Sequence, residues 1–294
     1  MTTHTLLTDD DLHLRLHVRR WPAGVATPLG TVQLVHGLGE HVGRYEHVAA
    51  ALNAAGWHVL AHDLRGHGRS EGARGALPQP AALLADLTQV MDNFRDGGRH
   101  VLLGHSMGGL IAARHVAEGL AQVPARWQRE VDGLVLSSPA LDPGMSGFQK
   151  LLLAVLGPLA PNLALGNGLD PGWISRDPRV VAAYTADPLV HDRVTPALVR
   201  FIVDGGELVR SLAPGWRVPT LLLWAGADRC VAPGGSAAFA AAAPRGVLTA
   251  REWPVLAHEI FNEPEQHEVL GTLTGWLGRF YTAPIPRPPE ETAR

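Results

Sequence analysis

Short apolar runs alternate with segments of helical spacing along most of this chain. The apolar runs have the length of strands and few polar interruptions, which is typical of strands buried on both faces of a parallel sheet. Strands are predicted at residues 31–36, 57–62, 131–137, 219–225 and 246–253, with another beginning at Val101, and helices at residues 45–56, 81–94, 270–281 and from the turn at Ser106 to about Leu120. This order predicts an α/β fold with a mostly parallel central sheet and helices on both faces.

Two parts of the chain depart from this alternation. Residues 12–18 place leucine or valine at every second position, which predicts a half-buried strand at the sheet edge. Residues 141–207 are rich in proline and glycine and include a very apolar helical segment at 148–156. A core helix would explain that segment, but no predicted strand flanks it closely. We therefore expect a helical cap inserted over the carboxyl edge of the sheet.

The terminal segment and the cap define the expected domain organisation. Residues 283–294 combine prolines with charges, and we expect them to be poorly ordered. The chain has no internal repeat and no second independent domain. The prediction is an α/β core at residues 1–140 and 208–282, a cap at 141–207, and the tail.

Composition excludes several classes of protein. The 294 residues carry a formal net charge of −3, so the chain lacks the positive charge typical of nucleic-acid binding. A single cysteine, Cys230, allows no internal disulfide and fits a reducing compartment. The first residues lack the pattern of a secretory signal, which favours the cytoplasm. The 15 histidines lack the spacing of a zinc site, so we predict no metal and no cofactor. The oligomeric state stays open.

The segment VLLGHSMGGL at residues 101–110 contains the candidate nucleophile. Its Gly-x-Ser-x-Gly pattern lies between a predicted strand and a predicted helix, where a tight turn would strain Ser106 and present its hydroxyl at the sheet edge. Gly104 and Gly108 would let strand and helix approach closely. The alternative is a glycine-rich turn in which Ser106 only caps the helix.

A serine nucleophile needs a base and a group that orients the base. Asp228 follows the buried strand at 219–225 within a glycine turn, and His258 follows the next strand. Both would therefore lie at the same sheet edge as Ser106, in the order Ser, acid, His. Asp228 could instead bond only its own turn. His267 competes with His258, but it lies in a helical stretch and is expected to be solvated.

The tetrahedral intermediate of such a reaction needs hydrogen-bond donors for its oxyanion. One predicted donor is the backbone N–H of Met107, at a helix N-terminus whose dipole favours negative charge. The other is the backbone N–H of Leu38, in the glycine loop after an early central strand. That loop could also be a plain turn, but its place after the strand favours the catalytic interpretation.

With these residues in place, the chain resembles the α/β-hydrolase superfamily and, within it, the monoacylglycerol lipase-like branch. The likeness spans about residues 32–281 and is specific because several motifs occur together. These motifs are HGLGEH (36–41), GRY (43–45), DLRGHGRSEG (63–72), GHSMGG (104–109), SPAL (138–141), ISRDP (174–178), YTADPL (184–189), ADR (227–229) and HE (258–259).

The resemblance implies hydrolysis of a fatty acyl ester of glycerol, with the cap forming an apolar acyl tunnel. It also implies that Arg44, His105 and Tyr184 line the glycerol end, although Arg44 could equally be structural and paired with Glu40 or Glu46. The substrate could instead be a lysophospholipid, a short-chain carboxylester or a thioester, with the same triad. A silent hydrolase fold and an acyltransferase are further alternatives. Exposed apolar residues of the cap would favour transient contact with micelles or a membrane surface.

Cys230 lies two residues after the proposed acid. Its alkylation could therefore block substrate or distort Asp228, whereas the simpler interpretation is a small buried packing residue.

Overall fold

The computed structural model of the chain describes residues 1–96 and 98–282, so the predicted tail at 283–294 lies outside the described residues. The strands are β1 (Thr2–Leu7), β2 (Arg15–Trp21), β3 (Thr31–Val35), β4 (His58–His62), β5 (His100–His105), β6 (Gly133–Ser137), β7 (Leu165–Gly166), β8 (Arg193–Val194), β9 (Thr220–Ala225) and β10 (Leu248–Trp253). The helices are α1 (Glu46–Ala54), α2 (Ala82–Phe94), α3 (Met107–Glu118), α4 (Gly147–Leu156), α5 (Pro178–Ala186), α6 (Pro196–Leu212), α7 (Pro233–Ala242) and α8 (Gln266–Thr282).

Eight strands form one sheet in the order β1-β2-β4-β3-β5-β6-β9-β10. Strands β4, β3, β5, β6, β9 and β10 run parallel, whereas β1 and β2 are antiparallel to their neighbours. The prediction of a mostly parallel sheet is confirmed. Because parallel strands end at the same edge, the loops after β3, β5, β9 and β10 meet there, and these loops carry Leu38, Ser106, Asp228 and His258.

The two ends of the sheet differ from the sequence expectations. Strand β2 begins at Arg15 and has β1 and β4 on its two sides, so the prediction of an edge strand at 12–18 was wrong. Strand β10 forms the other edge, and its four middle residues are exposed, so its predicted burial was also wrong. Burial of a strand depends on its neighbours in the sheet, which periodicity within the strand does not reveal.

Apolar side chains cover both faces of the sheet. On one face, α2, α3, α6 and α7 contribute to a cluster that includes Leu87, Leu110, Val209 and Phe239. On the other face, α1 and α8 contribute to a second cluster that includes Leu52 and Leu273. These two layers hold the central strands rigidly, so their carboxyl ends form a fixed platform for the loops.

The segment predicted as an insertion, residues 141–207 and called the insertion below, contains α4, β7, α5, β8 and most of α6. Helix α6 continues to Leu212 and packs on α3, so a single helix crosses the predicted boundary at residue 207. Among the described residues, no helix has both the length and the apolar character needed to cross a lipid bilayer.

One side of the insertion is hydrogen-bonded to loops of the core. The N–H of His191 donates to the Gly39 carbonyl at 2.9 Å, and the N–H of Thr195 donates to the Gly75 carbonyl at 3.0 Å. His41 Nε2 lies 2.8 Å from Asp187 Oδ2. The insertion also carries several exposed apolar side chains, which are Leu151, Val155, Leu159, Leu163 and Leu165.

Candidate active site

Ser106 occupies the turn between β5 and α3 with φ 53° and ψ −122°. This left-handed conformation costs energy in a residue other than glycine, and the predicted strain at this position is confirmed. A Cβ at Gly104 would lie 2.3 Å from the Gly108 carbonyl oxygen, and a Cβ at Gly108 would lie 2.1 Å from that of Val35. The side chain of Ser106 makes no capping hydrogen bond, so the alternative of a helix cap does not apply.

Asp228 and His258 form a hydrogen-bonded pair. His258 Nδ1 lies 2.7 Å from Asp228 Oδ2. The other carboxylate oxygen, Oδ1, accepts the backbone N–H groups of Cys230 at 2.8 Å and Val231 at 3.1 Å. Asp228 therefore makes both the turn that we considered as its alternative and a contact that orients the imidazole.

The loop around His258 is fixed from both sides. Ahead of the imidazole, the N–H of Ala257 donates to the fully buried Glu263 at 2.8 Å. Behind it, the N–H of Glu259 donates to the carbonyl of Ile174 in the insertion, also at 2.8 Å. Burial alone would lower the pKa of His258, but the charge and hydrogen bond of Asp228 outweigh burial and raise the pKa above its ordinary value.

Ser106 lies where two cavities meet. The polar cavity, of about 300 Å³, is lined by Ser106, His258 and mainly polar residues of the core and the insertion. The apolar cavity, of about 730 Å³, is also lined by Ser106 but otherwise mainly by apolar side chains such as Met107, Val199 and Ile202. Ser106 forms no side-chain hydrogen bond to a described residue. Catalytic hydrogen bonds are often long before substrate binds.

The backbone N–H groups of Leu38 and Met107 donate no hydrogen bond to a described residue. Leu38 lines both cavities, and Met107 lines the apolar one. The neighbouring N–H of Gly37, in contrast, is engaged by Glu40 Oε1 at 2.6 Å. Two donors beside Ser106 are thus available to a ligand.

The three residues that the resemblance placed at the glycerol end have different positions. His105 and Tyr184 line the polar cavity, whereas Arg44 is not among the residues lining either cavity. The guanidinium of Arg44 lies behind the wall, 4.7 Å from the centroid of the Tyr184 ring, and pairs with Glu40 and Glu259. Burial lowers the pKa of His105 to about 3, so this histidine is neutral.

Glu259 had no predicted role. It lines the polar cavity, and its carboxylate binds Arg44 through both oxygens, at 2.5 and 2.7 Å. Its position directly after His258 is the one signal that could have drawn attention to it.

Within residues 1–96 and 98–282, one group of three side chains brings metal-ligating atoms within 4.8 Å of one another: Asp228, Cys230 and His258. Two of its members already satisfy each other by a hydrogen bond. The prediction that no metal is bound stays a prediction.

The sheet order, the strained serine after β5 and the acid and histidine after later strands define an α/β-hydrolase. The family described as "Serine aminopeptidase, S33" matches residues 26–265, and the chain belongs to this family.

Named relatives and a solved structure are similar to this chain over most of its length. The monoacylglycerol lipase of Mycolicibacterium smegmatis is 38% identical over 85% of this chain and 88% of its own length. Phospholipase YtpA of Bacillus subtilis is 30% identical over 85% of this chain and 95% of its own length. The crystal structure of the Paleococcus ferrophilus monoacylglycerol lipase aligns with a TM-score of 0.80 at 36% identity, covering 90% of this chain and 99% of that one.

Proposed function

We propose that this chain is a serine ester hydrolase that cleaves monoacylglycerol to a fatty acid and glycerol through an acyl-enzyme. One observation carries the proposal: Ser106 lies at the junction of a polar cavity and a larger apolar cavity. An ester with its carbonyl at Ser106 would place a small polar alcohol in the polar cavity and its acyl chain in the apolar cavity. Burial of each methylene contributes about 0.8 kcal/mol to binding.

The catalytic steps follow from the positions of the side chains. His258, oriented by Asp228, takes the proton of the Ser106 hydroxyl as that oxygen attacks the ester carbonyl. The N–H groups of Leu38 and Met107 stabilise the oxyanion. His258 then gives the proton to the leaving glycerol, and water repeats the sequence to release the fatty acid. Neutral His105 and Tyr184 line the side on which glycerol leaves.

Two measurements test this proposal. An aryl phosphonate should add covalently to Ser106 and not to a Ser106→Ala variant, and absence of the adduct on the wild type would favour a catalytically silent fold. The value of kcat/KM should be higher for 1-monolauroylglycerol than for p-nitrophenyl acetate. Equal or lower turnover of the glycerol ester would leave an esterase without lipase character.

A lysophospholipase is the alternative candidate; the likeness to the Bacillus subtilis phospholipase supports it, but the likeness to the Mycolicibacterium smegmatis monoacylglycerol lipase is higher. It uses the same side chains and differs only in the alcohol that leaves. Comparison of monolauroylglycerol, a diacylglycerol and lauroyl lysophospholipid at equal acyl length separates the two candidates.

We also propose that residues 141–207 act as a cap whose apolar side docks transiently on micelles or a membrane. Leu159 is 78% exposed there, close in sequence to Val155 and Leu163, which are exposed as well. Several large apolar side chains exposed close together in the sequence are consistent with such a docking surface. Binding to lipid vesicles should weaken in a Leu159→Asp variant and not in a Val123→Asp variant, since Val123 is 86% exposed but lies outside the insertion. A cytoplasmic location stays a prediction from the sequence.

A further inference from the structure

The polar cavity beside Ser106 is surrounded by negative charge. Five carboxylates line it, and neither lysine nor arginine is among its described lining residues. The core contributes two of these carboxylates and the insertion three. They are Glu40, Asp170, Asp187, Asp192 and Glu259.

Nearby positive charges offset only part of the negative charge of these five carboxylates. A single guanidinium, Arg44, serves both Glu40 at 2.8 Å and Glu259 at 2.5 Å. Asp192 pairs with the exposed Arg193 at 3.1 Å. Two negative charges share one positive charge in the buried part of the wall, so the wall retains negative charge there.

The other two carboxylates form no ion pair with a lysine or an arginine among the described residues. Asp170 accepts the N–H of Gly172 at 2.8 Å and has no ion pair among the described residues. Asp187 has His41 as its partner, which is charged only when protonated. Because an arginine is always charged and a histidine is not, Asp187 adds to the negative potential whenever His41 is neutral.

Of the three described histidines that line the cavity, two do not neutralise it, and the third, His258, is paired with Asp228. Burial lowers the pKa of His105 to about 3 and that of His191 to about 4, so both are neutral near pH 7. His105 is only 3% exposed, and its Nδ1 lies 3.1 Å from Ser137 Oγ.

The negative charge of the cavity wall contributes to the raised pKa values of two acidic groups in the same wall. Burial raises the pKa of the Tyr184 hydroxyl, and the charges of Glu40 and Glu259 raise it further. Burial likewise raises the pKa of the Cys230 thiol, to which Asp228, Glu259 and Asp170 add. Formation of an anion is therefore disfavoured at two separate points of the cavity wall.

We propose that the polar cavity selects its alcohol by charge: it accepts fatty acyl esters of cationic alcohols, such as choline, as a second substrate class, and it rejects esters whose alcohol carries a phosphate. This inference rests on the proposed function, because the same Ser106 would attack the ester. The bond from Ser106 Oγ to the acyl carbon forms, the ester bond to the alcohol oxygen breaks, and the alcohol leaves with the proton held by His258. Water then releases the fatty acid.

The test compares two esters that differ in charge and not in shape. Lauroylcholine carries a quaternary ammonium, and 3,3-dimethylbutyl laurate is its uncharged carbon isostere. The kcat/KM of the wild type should be about tenfold higher for the choline ester at low salt, and raised salt should reduce this ratio. Lauroyl glycerol phosphate should be cleaved at least about tenfold less efficiently than monolauroylglycerol.

Charge-neutral variants identify the residues responsible. An Asp170→Asn/Asp192→Asn variant keeps similar shapes, and asparagine still caps the short helix after residue 170. Its choline-to-dimethylbutyl ratio should fall at least threefold. The ratio should be unchanged in Asp204→Asn, which removes one charge from an exposed residue that lines neither cavity.

The outcomes separate this inference from the proposed function. A wild-type ratio of one or below, or the same ratio in the double variant, overturns the charge selection while leaving monoacylglycerol hydrolysis intact. Turnover of lauroylcholine without turnover of monolauroylglycerol overturns the proposed function and supports the charge selection.

Discussion

Arg44 binds Glu259, the residue directly after His258, through two parallel hydrogen bonds of 2.5 and 2.7 Å. The same guanidinium donates to Glu40, whose other oxygen accepts the Gly37 N–H next to Leu38. The loop that carries a proposed oxyanion donor and the loop that carries the proposed base are thus joined through one buried cation. Their separation is fixed before any substrate arrives.

Replacement of Arg44 tests this connection between the two loops. In Arg44→Met, two buried carboxylates lose their counterion, so we expect the free energy of unfolding at pH 7 to fall by about 3–5 kcal/mol. Urea denaturation measures this change. The triple variant Glu40→Gln/Arg44→Met/Glu259→Gln should recover part of the loss, because no uncompensated charge remains. A loss below about 1 kcal/mol in Arg44→Met would show that the pair is not effectively buried.

The pH dependence of the reaction should report the contact between Asp228 and His258. A general base works in its neutral form, and the pKa of His258 is raised, so activity should decline on acidification with a midpoint above the ordinary pKa of a histidine. In Asp228→Asn the raising charge is gone, so the midpoint should move to lower pH, while kcat falls by about 10³–10⁴. The profile of kcat/KM against pH measures both effects. An unmoved midpoint would contradict the assignment of Asp228 as the partner of the base.

Glycine at position 108 should be irreplaceable. A methyl group there would lie 2.1 Å from the carbonyl oxygen of Val35, within the backbone of the central sheet. Gly108→Ala should therefore yield little folded protein. Gly234→Ala is the matched control, because this glycine lies within α7 with nothing within 4 Å of an added Cβ. We expect the control to fold and to gain about 0.5–1 kcal/mol from helix propensity, as measured by thermal unfolding.

The apolar cavity should determine the preferred acyl length. Ile202 is buried and lines this cavity. In Ile202→Trp the larger side chain would occupy part of the volume, so we expect the optimum of kcat/KM over a series of p-nitrophenyl esters to move to shorter chains. An unchanged optimum with a uniformly lower rate would contradict the assignment of this cavity to the acyl chain.

Cys230 lines both cavities, but its thiol should react slowly. Burial raises its pKa, so little thiolate exists at pH 7. Its contact with Asp228 uses the backbone N–H, which alanine retains. We therefore expect Cys230→Ala to keep activity within about threefold of the wild type, and maleimide inactivation of the wild type to accelerate as pH rises. Rapid inactivation at pH 7 would contradict this expectation.

The fold and the candidate site residues could be anticipated from local signals. Apolar runs predicted the central strands because burial on both faces leaves no polar alternation to obscure them. The strain at Ser106 could be predicted from Gly104 and Gly108, because a turn in which strand and helix crowd together requires glycine at such positions. These features depend on residues that are close together in the chain.

The features that sequence reasoning missed depend on distant neighbours. The partner of Arg44 at Glu259 lies 215 positions away, and that of His41 at Asp187 lies 146 positions away. Strand β1 was not predicted because its short polar-rich sequence gains stability only by pairing with β2. Contacts between residues so far apart in the chain leave no periodic pattern within a single segment of the sequence.

The unequal attachment of the insertion has a consequence for turnover. Contacts at His191, Thr195 and Asp187 tie one margin to the core, whereas α4 is tied mainly within the insertion, as by Arg200 to the Leu153 carbonyl at 3.3 Å. Any widening of the entrance should then be a hinge motion about residues 187–195. The polar cavity, which receives the departing alcohol, would keep its dimensions through each cycle, while the apolar cavity for the lipid tail would change in width.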